Sequence, residues 1–382
     1  MEVYRVSTLD MVFRPVFLGV LLALLGAVWA VHTYWDSPRA RLPFETLDSY
    51  VRGQVLVCLN SGVPLWRSTC FDDLSRQLME RFSLPEVLKS LAQADDDFRI
   101  KQQCHPFAHN LGQRSFEKTQ SLAETFAQCS TRIACGEGCF HGAVEAYVMT
   151  RGSVPDAPVL SRVCSRSFSL NETNYLACVH GLGHAFMLLY ENDIHKALPG
   201  CDVLSTKTDR DMCYAGVFME NVFSFGNPLH PTPFIDFTDP MYPCKQIGSR
   251  YQEQCLSAAA SQVLQQNRGN VVAAAQFCSE LPPRYQPECY GTIGGTAVFL
   301  SADTQKSVRD ACALAPQGAA SKACIREALR FVLYSSGGKN EALTKLCSVF
   351  MNDDRSACLA QASASMREWA PFGTTTSSAK NR

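Results

Sequence analysis

Cys104-His105-Pro106-Phe107-Ala108-His109, Cys139-Phe140-His141-Gly142-Ala143-Val144-Glu145 and Cys178-Val179-His180-Gly181-Leu182-Gly183-His184 are three short segments of one design. Each opens with a cysteine and carries two potential metal ligands four residues apart. On an α-helix, residues i and i+4 stand one above the other on the same face, so each segment presents a two-tooth ligand clip. The chain has eight histidines, and five of them lie in these clips. That concentration makes His105, His109, His141, Glu145, His180 and His184 the candidate metal ligands.

Working outward, the cysteines keep a rhythm. Cys58 and Cys70 are 12 residues apart, Cys164 and Cys178 14, and Cys201 and Cys213 12. Cys244 and Cys255, Cys278 and Cys289, and Cys347 and Cys358 are each 11 apart; Cys312 and Cys324 are 12 apart. From Cys104 to Cys358 the second cysteines recur at steps of 34–42 residues, the period of a helical repeat array. Each unit reads as two helices around a turn. Asn270 to Cys278 is a first helix, Leu-Pro-Pro-Arg-Tyr-Gln-Pro-Glu breaks it, and Cys289 opens a second running to about Leu300. A disulfide across such a turn closes a loop of about 12 residues, worth about 3 kcal/mol in the chain-entropy model. The first clip departs from the pattern. Two bridges among Cys104, Cys129, Cys135 and Cys139 allow three connectivities, of which Cys129–Cys139 with Cys104–Cys135 best keeps the rhythm.

The expected fold is all-α: an array, α-solenoid or α/α-toroid-like, of about eight disulfide-stapled helical hairpins over residues 44–371, after an N-terminal transmembrane helix. Pro15 to Trp35 is 21 residues without a charge, close to the roughly 20 that span a bilayer. Trp29, Tyr34 and Trp35 stand at its far end, where an aromatic belt belongs. The competing reading is a cleaved signal peptide ending at Ala30. Residues 1–14 then face the cytosol, 36–43 form a linker and 372–382 a disordered tail. The 18 cysteines demand an oxidising compartment, so the bulk of the chain is expected to be periplasmic, lumenal or extracellular. Asn171-Glu172-Thr173 is a glycosylation sequon. Residues 225–243, with Pro228, His230, Pro231, Pro233 and Pro240, interrupt the array and read as a structured loop over a pocket.

Composition excludes some partners. Thirty-five basic residues balance 36 acidic ones with no basic stripe, so no nucleic acid is expected. The expected partners are the membrane, through the N-terminal helix, and a protein or peptide on the concave face. His-Glu-x-x-His, CxxCH, GxGxxG and GxxxxGK[ST] signatures are all absent.

Stacking places His141 beside His180, and Glu145 beside His184, because each pair has the same offset from its cysteine. His105 and His109 are one residue out of that register. Five imidazoles and a carboxylate suit a divalent transition metal, iron, zinc or copper, in a mononuclear or dinuclear site. After Cys213 the equivalent positions hold Ala215 and Met219, with Glu220 adjacent, and His195 lies nearby in sequence. In arrangement alone the clips resemble those of the helical-repeat hydroxylases that bind two irons with His-Glu pairs on successive repeats. The His-Glu dipeptides of that family are absent and it has no such disulfide framework, so the resemblance transfers no residue and no substrate. The leading expectation is a metal-dependent enzyme, oxidative or hydrolytic, with Glu145 as general base in the hydrolytic case. The alternative is a non-catalytic interaction scaffold.

Overall fold

The computed structural model describes residues 46–62, 64–94, 97–130, 135, 137–153, 157–165, 171–224 and 231–370. The expected anchor at 15–35, its flanks 1–14 and 36–43, His230 and the tail 372–382 lie outside the described residues. Among the described residues no helix is long and apolar enough to cross a membrane. Residues 51–382 form one compact unit; of the other, 1–50, the described residues 46–50 lead into a first helix.

Every regular element described is a helix. The first four are α1 (Leu47–Leu59), α2 (Pro64–Arg81), α3 (Leu84–Gln93) and α4 (Phe98–Thr119). Next come α5 (Leu122–Ser130), α6 (Gly138–Arg151), α7 (Ala157–Val163), α8 (Glu172–Leu189), α9 (Ile194–Asp202) and α10 (Lys207–Ser224). Beyond the insertion lie α11 (Gln252–Gln266), α12 (Val271–Glu280), α13 (Gln286–Ala297), α14 (Thr304–Cys312), α15 (Ala319–Ser335), α16 (Asn340–Cys347) and α17 (Asn352–Trp369). Side-chain caps start several of them: Asp97 accepts from Arg99 N, Asp193 from His195 N and Asp303 from Lys306 N, each at 3.0 Å.

All 18 cysteines pair. Cys58–Cys70, Cys129–Cys139, Cys164–Cys178, Cys201–Cys213, Cys278–Cys289, Cys312–Cys324 and Cys347–Cys358 each join the end of one helix to the next. Cys244–Cys255 ties the end of the insertion to α11, and Cys104–Cys135 spans 31 residues. One expectation needs correction: apart from Cys139, at the second position of α6, the second cysteine does not open its helix. Helix α13 begins at Gln286, with Pro287 in its first turn where a missing N–H costs nothing, and Cys289 follows inside. Cys104 and Cys178 likewise lie well inside α4 and α8, so the ligand pairs sit in mid-helix rather than at fraying ends.

The longer helices stack in order, α2 on α4, then α6, α8, α10, α11, α13, α15 and α17. The stack is close at several glycines, those beside the clips among them, and a Cβ at Gly294 would likewise fall 2.1 Å from Cys324 O between α13 and α15. A Cβ at Gly112 would fall 2.1 Å from Cys139 O, and one at Gly142 1.9 Å from His109 O. Gly183 and Gly216 repeat this reciprocal contact between α8 and α10, at 2.1 Å from Cys213 O and 2.0 Å from His180 O. Backbone thus lies on backbone, inside the usual separation of packed helices. The last helices also reach back to the first clips. Gln102 Nε2 donates to Phe299 O at 3.0 Å, and Asn171 Nδ2 to Trp369 O at 3.0 Å. That second bond corrects the sequon: Asn171 is 5% exposed, caps α8 through Oδ1 to Asn174 N, and has no free amide to glycosylate.

The described part of the insertion is pinned by Asn221 Nδ2 to Phe234 O (3.0 Å) and Gln262 Nε2 to Asp236 O (2.9 Å). Its Phe237 lines a cavity of about 360 Å³ with Val222, Gln262, Gln265 and Gln266.

Two outcomes are expected. Non-reducing peptide mapping recovers Cys129–Cys139 and Cys104–Cys135 as linked pairs; any other pairing among these four contradicts the structure. Gly142→Ala lowers unfolding stability by about 1–3 kcal/mol, because a carbonyl cannot yield as a side chain does. Gly62→Ala, with nothing within 4 Å of its Cβ, leaves the urea midpoint nearly unchanged.

Candidate metal centre

Five imidazoles from α4, α6 and α8 form one cluster. His105 and His109 lie on α4, His141 on α6, and His180 and His184 on α8. His109 Nε2 is 3.2 Å from His105 Nε2 and 3.2 Å from His141 Nδ1. Among the described residues, His105, His109 and His141 are the group whose ligand atoms all lie within 4.8 Å of one another. Nitrogens that share a tetrahedral ion at about 2.0 Å stand roughly 3.3 Å apart, so these separations suit a common ion. The close seating of Gly142 on His109 O brings α6 near enough for this.

The remaining ring nitrogens define the tautomers. His105 Nδ1 is 3.2 Å from Cys135 O, and His109 Nδ1 is 2.8 Å from Glu145 Oε1. A carbonyl and a carboxylate only accept, so both Nδ1 atoms carry hydrogen. In the neutral rings, the Nε2 atoms of His105 and His109 therefore face each other lone pair to lone pair. A cation between them removes the conflict, whether a proton or a metal ion. Gln113 Nε2 donates to Glu145 Oε2 at 2.8 Å, so both oxygens of Glu145 are engaged. His184 Nδ1 is held in the same way, 2.7 Å from Glu220 Oε2, and Ser224 Oγ donates to Glu220 Oε1 at 3.0 Å. Asn192 Nδ2 donates to Ser224 Oγ (3.2 Å) and to Pro231 O (3.3 Å), so the chain of hydrogen bonds runs on into the insertion.

The six sequence-predicted ligands are thus neighbours. Glu145 touches the cluster through His109 rather than through the facing nitrogens, and Glu220 holds the matching post behind His184. His195 is elsewhere, exposed and 5.4 Å from the Phe234 ring, centre to centre. Sequence reasoning missed Gln113 and Glu137. Both had a signal, since Gln113 follows His109 by four residues and Glu137 precedes His141 by four, one helical turn along the same face. Glu137 Oε2 is 3.6 Å from His141 Nε2, and Tyr334 of α15 hydrogen-bonds the same carboxylate, with Arg330 nearby. No local pattern announces that pair from α15.

Burial and the crowd of neighbouring rings push the His105 pKa down to about 3 and those of His141 and His180 well below the ordinary value. Burial acts the same way on His109, but the Glu145 carboxylate outweighs it and raises that ring. Burial alone would raise Glu145; the imidazole of His109 instead holds it at about 2. The consequence for stability has a definite sign. Between roughly pH 6.5 and 3 an unfolded chain binds protons that His105, His141 and His180 refuse when folded. Their contribution is complete above about pH 6.5 and is lost as the pH falls through that window. His109 works in the opposite sense, and three rings outweigh one. With chelator present, the urea midpoint should fall from pH 7.5 to pH 5. A midpoint that rises on acidification contradicts these assignments.

No protein-family model matches this chain, and no curated protein or solved structure is similar to it, so the chemistry of the site rests on its own atoms.

Proposed function

We propose that the chain is a metal-dependent enzyme working outside the cytosol, its divalent transition metal held by His105 Nε2, His109 Nε2 and His141 Nδ1. One observation carries this reading: three ring nitrogens converge, and the Nε2 atoms of His105 and His109 stand 3.2 Å apart while both Nδ1 hydrogens are engaged elsewhere. Glu145 and the Cys135 carbonyl fix the ring orientations from behind, the arrangement that metal-binding histidines commonly have. Three protein ligands leave at least one coordination position open, which distinguishes a catalytic site from a closed structural one. His105 and His109 are also the partly exposed members of the cluster, so solvent and substrate have access from the α4 side. A bound divalent ion there would supply Lewis acidity and a water of lowered pKa. Glu145, with both oxygens engaged, is better cast as the group that orients His109 than as a ligand or general base.

The nine disulfides support an oxidising compartment, and the apolar stretch 15–35 supports tethering to a membrane. For residues 51–382, the contacts from α13 and α17 back to α4 and α8 favour the toroid-like form of a hairpin array over an open solenoid.

Calorimetric titration of the chelator-treated protein with zinc tests the centre. His109→Ala should abolish tight binding, Glu145→Gln should weaken it about 10–100-fold, and His195→Ala should leave it intact. Equal binding by wild type and His109→Ala, or none by wild type, defeats the reading. Azide added to the cobalt-loaded protein separates enzyme from scaffold: a changed visible spectrum reports an open position, and an unchanged one a closed structural site.

A further inference from the structure

His141 has a nitrogen left over. Its Nδ1 belongs to the first trio, while Nε2 is buried, has no hydrogen-bond partner and lies 3.6 Å from Glu137 Oε2. The two lone-pair directions of an imidazole diverge widely, so Nε2 aims away from His105 and His109. Three further buried atoms also lack partners: His180 Nε2, His184 Nε2 and Glu137 Oε1. The rings involved are 0% (His141), 5% (His180) and 2% (His184) exposed. An unpartnered buried polar atom is costly, and several in one place require a common explanation. His184 Nε2 is an acceptor, since its Nδ1 hydrogen is engaged by Glu220, and Glu137, which burial pushes toward the neutral form, only accepts once a neighbouring cation ionises it. A cation shared by the ring nitrogens answers the three imidazoles, while Arg330 already stands beside Glu137.

The ring spacings agree. Imidazoles that share an ion at about 2.0–2.1 Å have ring centres roughly 5 Å apart. His105, His109 and His141 are separated by 4.9, 5.2 and 5.0 Å. His141, His180 and His184 are separated by 5.0, 5.1 and 5.0 Å. His109 and His184 are also 5.3 Å apart, so the five rings form one continuous cluster with His141 at its centre. As placed, the nitrogens of the second trio stand further apart than those of the first. Rotation about Cβ–Cγ, which moves a ring centre little, is the adjustment that binding requires.

We propose that the cluster holds a second divalent cation on His141 Nε2, His180, His184 and Glu137, and that His141 bridges the two ions as an imidazolate. The proposal rests on the first site being real. Neutral His141 carries one ring hydrogen, so bridging releases that proton to solvent as the second ion binds, and no electron moves. The second site has four protein ligands and is closed, whereas the first keeps its open position. One would then be structural and the other reactive, with a single ring coupling them.

Copper(II) titration of the chelator-treated full chain, followed by low-temperature electron paramagnetic resonance, tests both levels. With the first equivalent, the integrated signal should rise to one spin per chain. With the second it should fall toward zero, because an imidazolate couples two copper(II) spins antiferromagnetically. His180→Ala, checked for native disulfides and helicity, should bind one equivalent and keep its full signal. Saturation of wild type at one copper overturns the second site, and two coppers with two uncoupled spins overturn the bridge. No copper bound at all overturns the first site and this proposal with it.

Discussion

Backbone-to-backbone contact between the histidine-bearing helices is the constraint on which the rest depends. Imidazoles are short, and helices at ordinary separations would leave His109 and His141 facing across a gap. With Gly142 against His109 O and Gly112 against Cys139 O, α4 and α6 approach until the rings meet. Glycine in mid-helix costs about 1 kcal/mol relative to alanine. The array tolerates that because each hairpin is covalently closed near its turn, so local helix stability is not the only thing holding it. Staples and glycines therefore have complementary roles, the first keeping each hairpin formed and the second letting hairpins crowd together.

Behind the rings lies a layer of acceptors that decides which nitrogen points inward. Glu145 and Glu220 occupy equivalent posts on α6 and α10, one helix beyond the histidine each orients. Gln113 and Ser224 in turn hold those carboxylates, and Asn192 holds Ser224. Burial and the crowding of the rings make His105, His141 and His180 poor at taking protons, while the carboxylate behind His109 works the other way. The same design explains why Glu145, so suggestive in the sequence, stands behind the site.

Much of this was legible in the primary structure because disulfide-stapled repeats are periodic. Residues with equal offsets from equivalent cysteines become neighbours, and that alone brought His141 and His180 together. The pairing of Cys104 with Cys135 followed from keeping the rhythm elsewhere. What stayed hidden has a different character. Glu220 sits one residue from the position the repeat assigns, so offset counting could only place it nearby. Tyr334 and Arg330 approach Glu137 across roughly half the chain, through curvature that no local pattern encodes. The buried sequon misled for a related reason, since Asn171 is closed over by Trp369 from the last helix.

The distribution of the crosslinks also imposes an order of assembly. Eight of the nine bridges join cysteines 10–14 residues apart, so each can close as soon as its own hairpin has formed. The exception, Cys104–Cys135, spans 31 residues, and it carries the carbonyl that orients His105. An oxidation error at Cys104, Cys129, Cys135 or Cys139 would thus leave every later hairpin intact while misaiming one ligand. A check that senses only unfolded chain would pass such a molecule, well folded but with its histidine cluster misaimed.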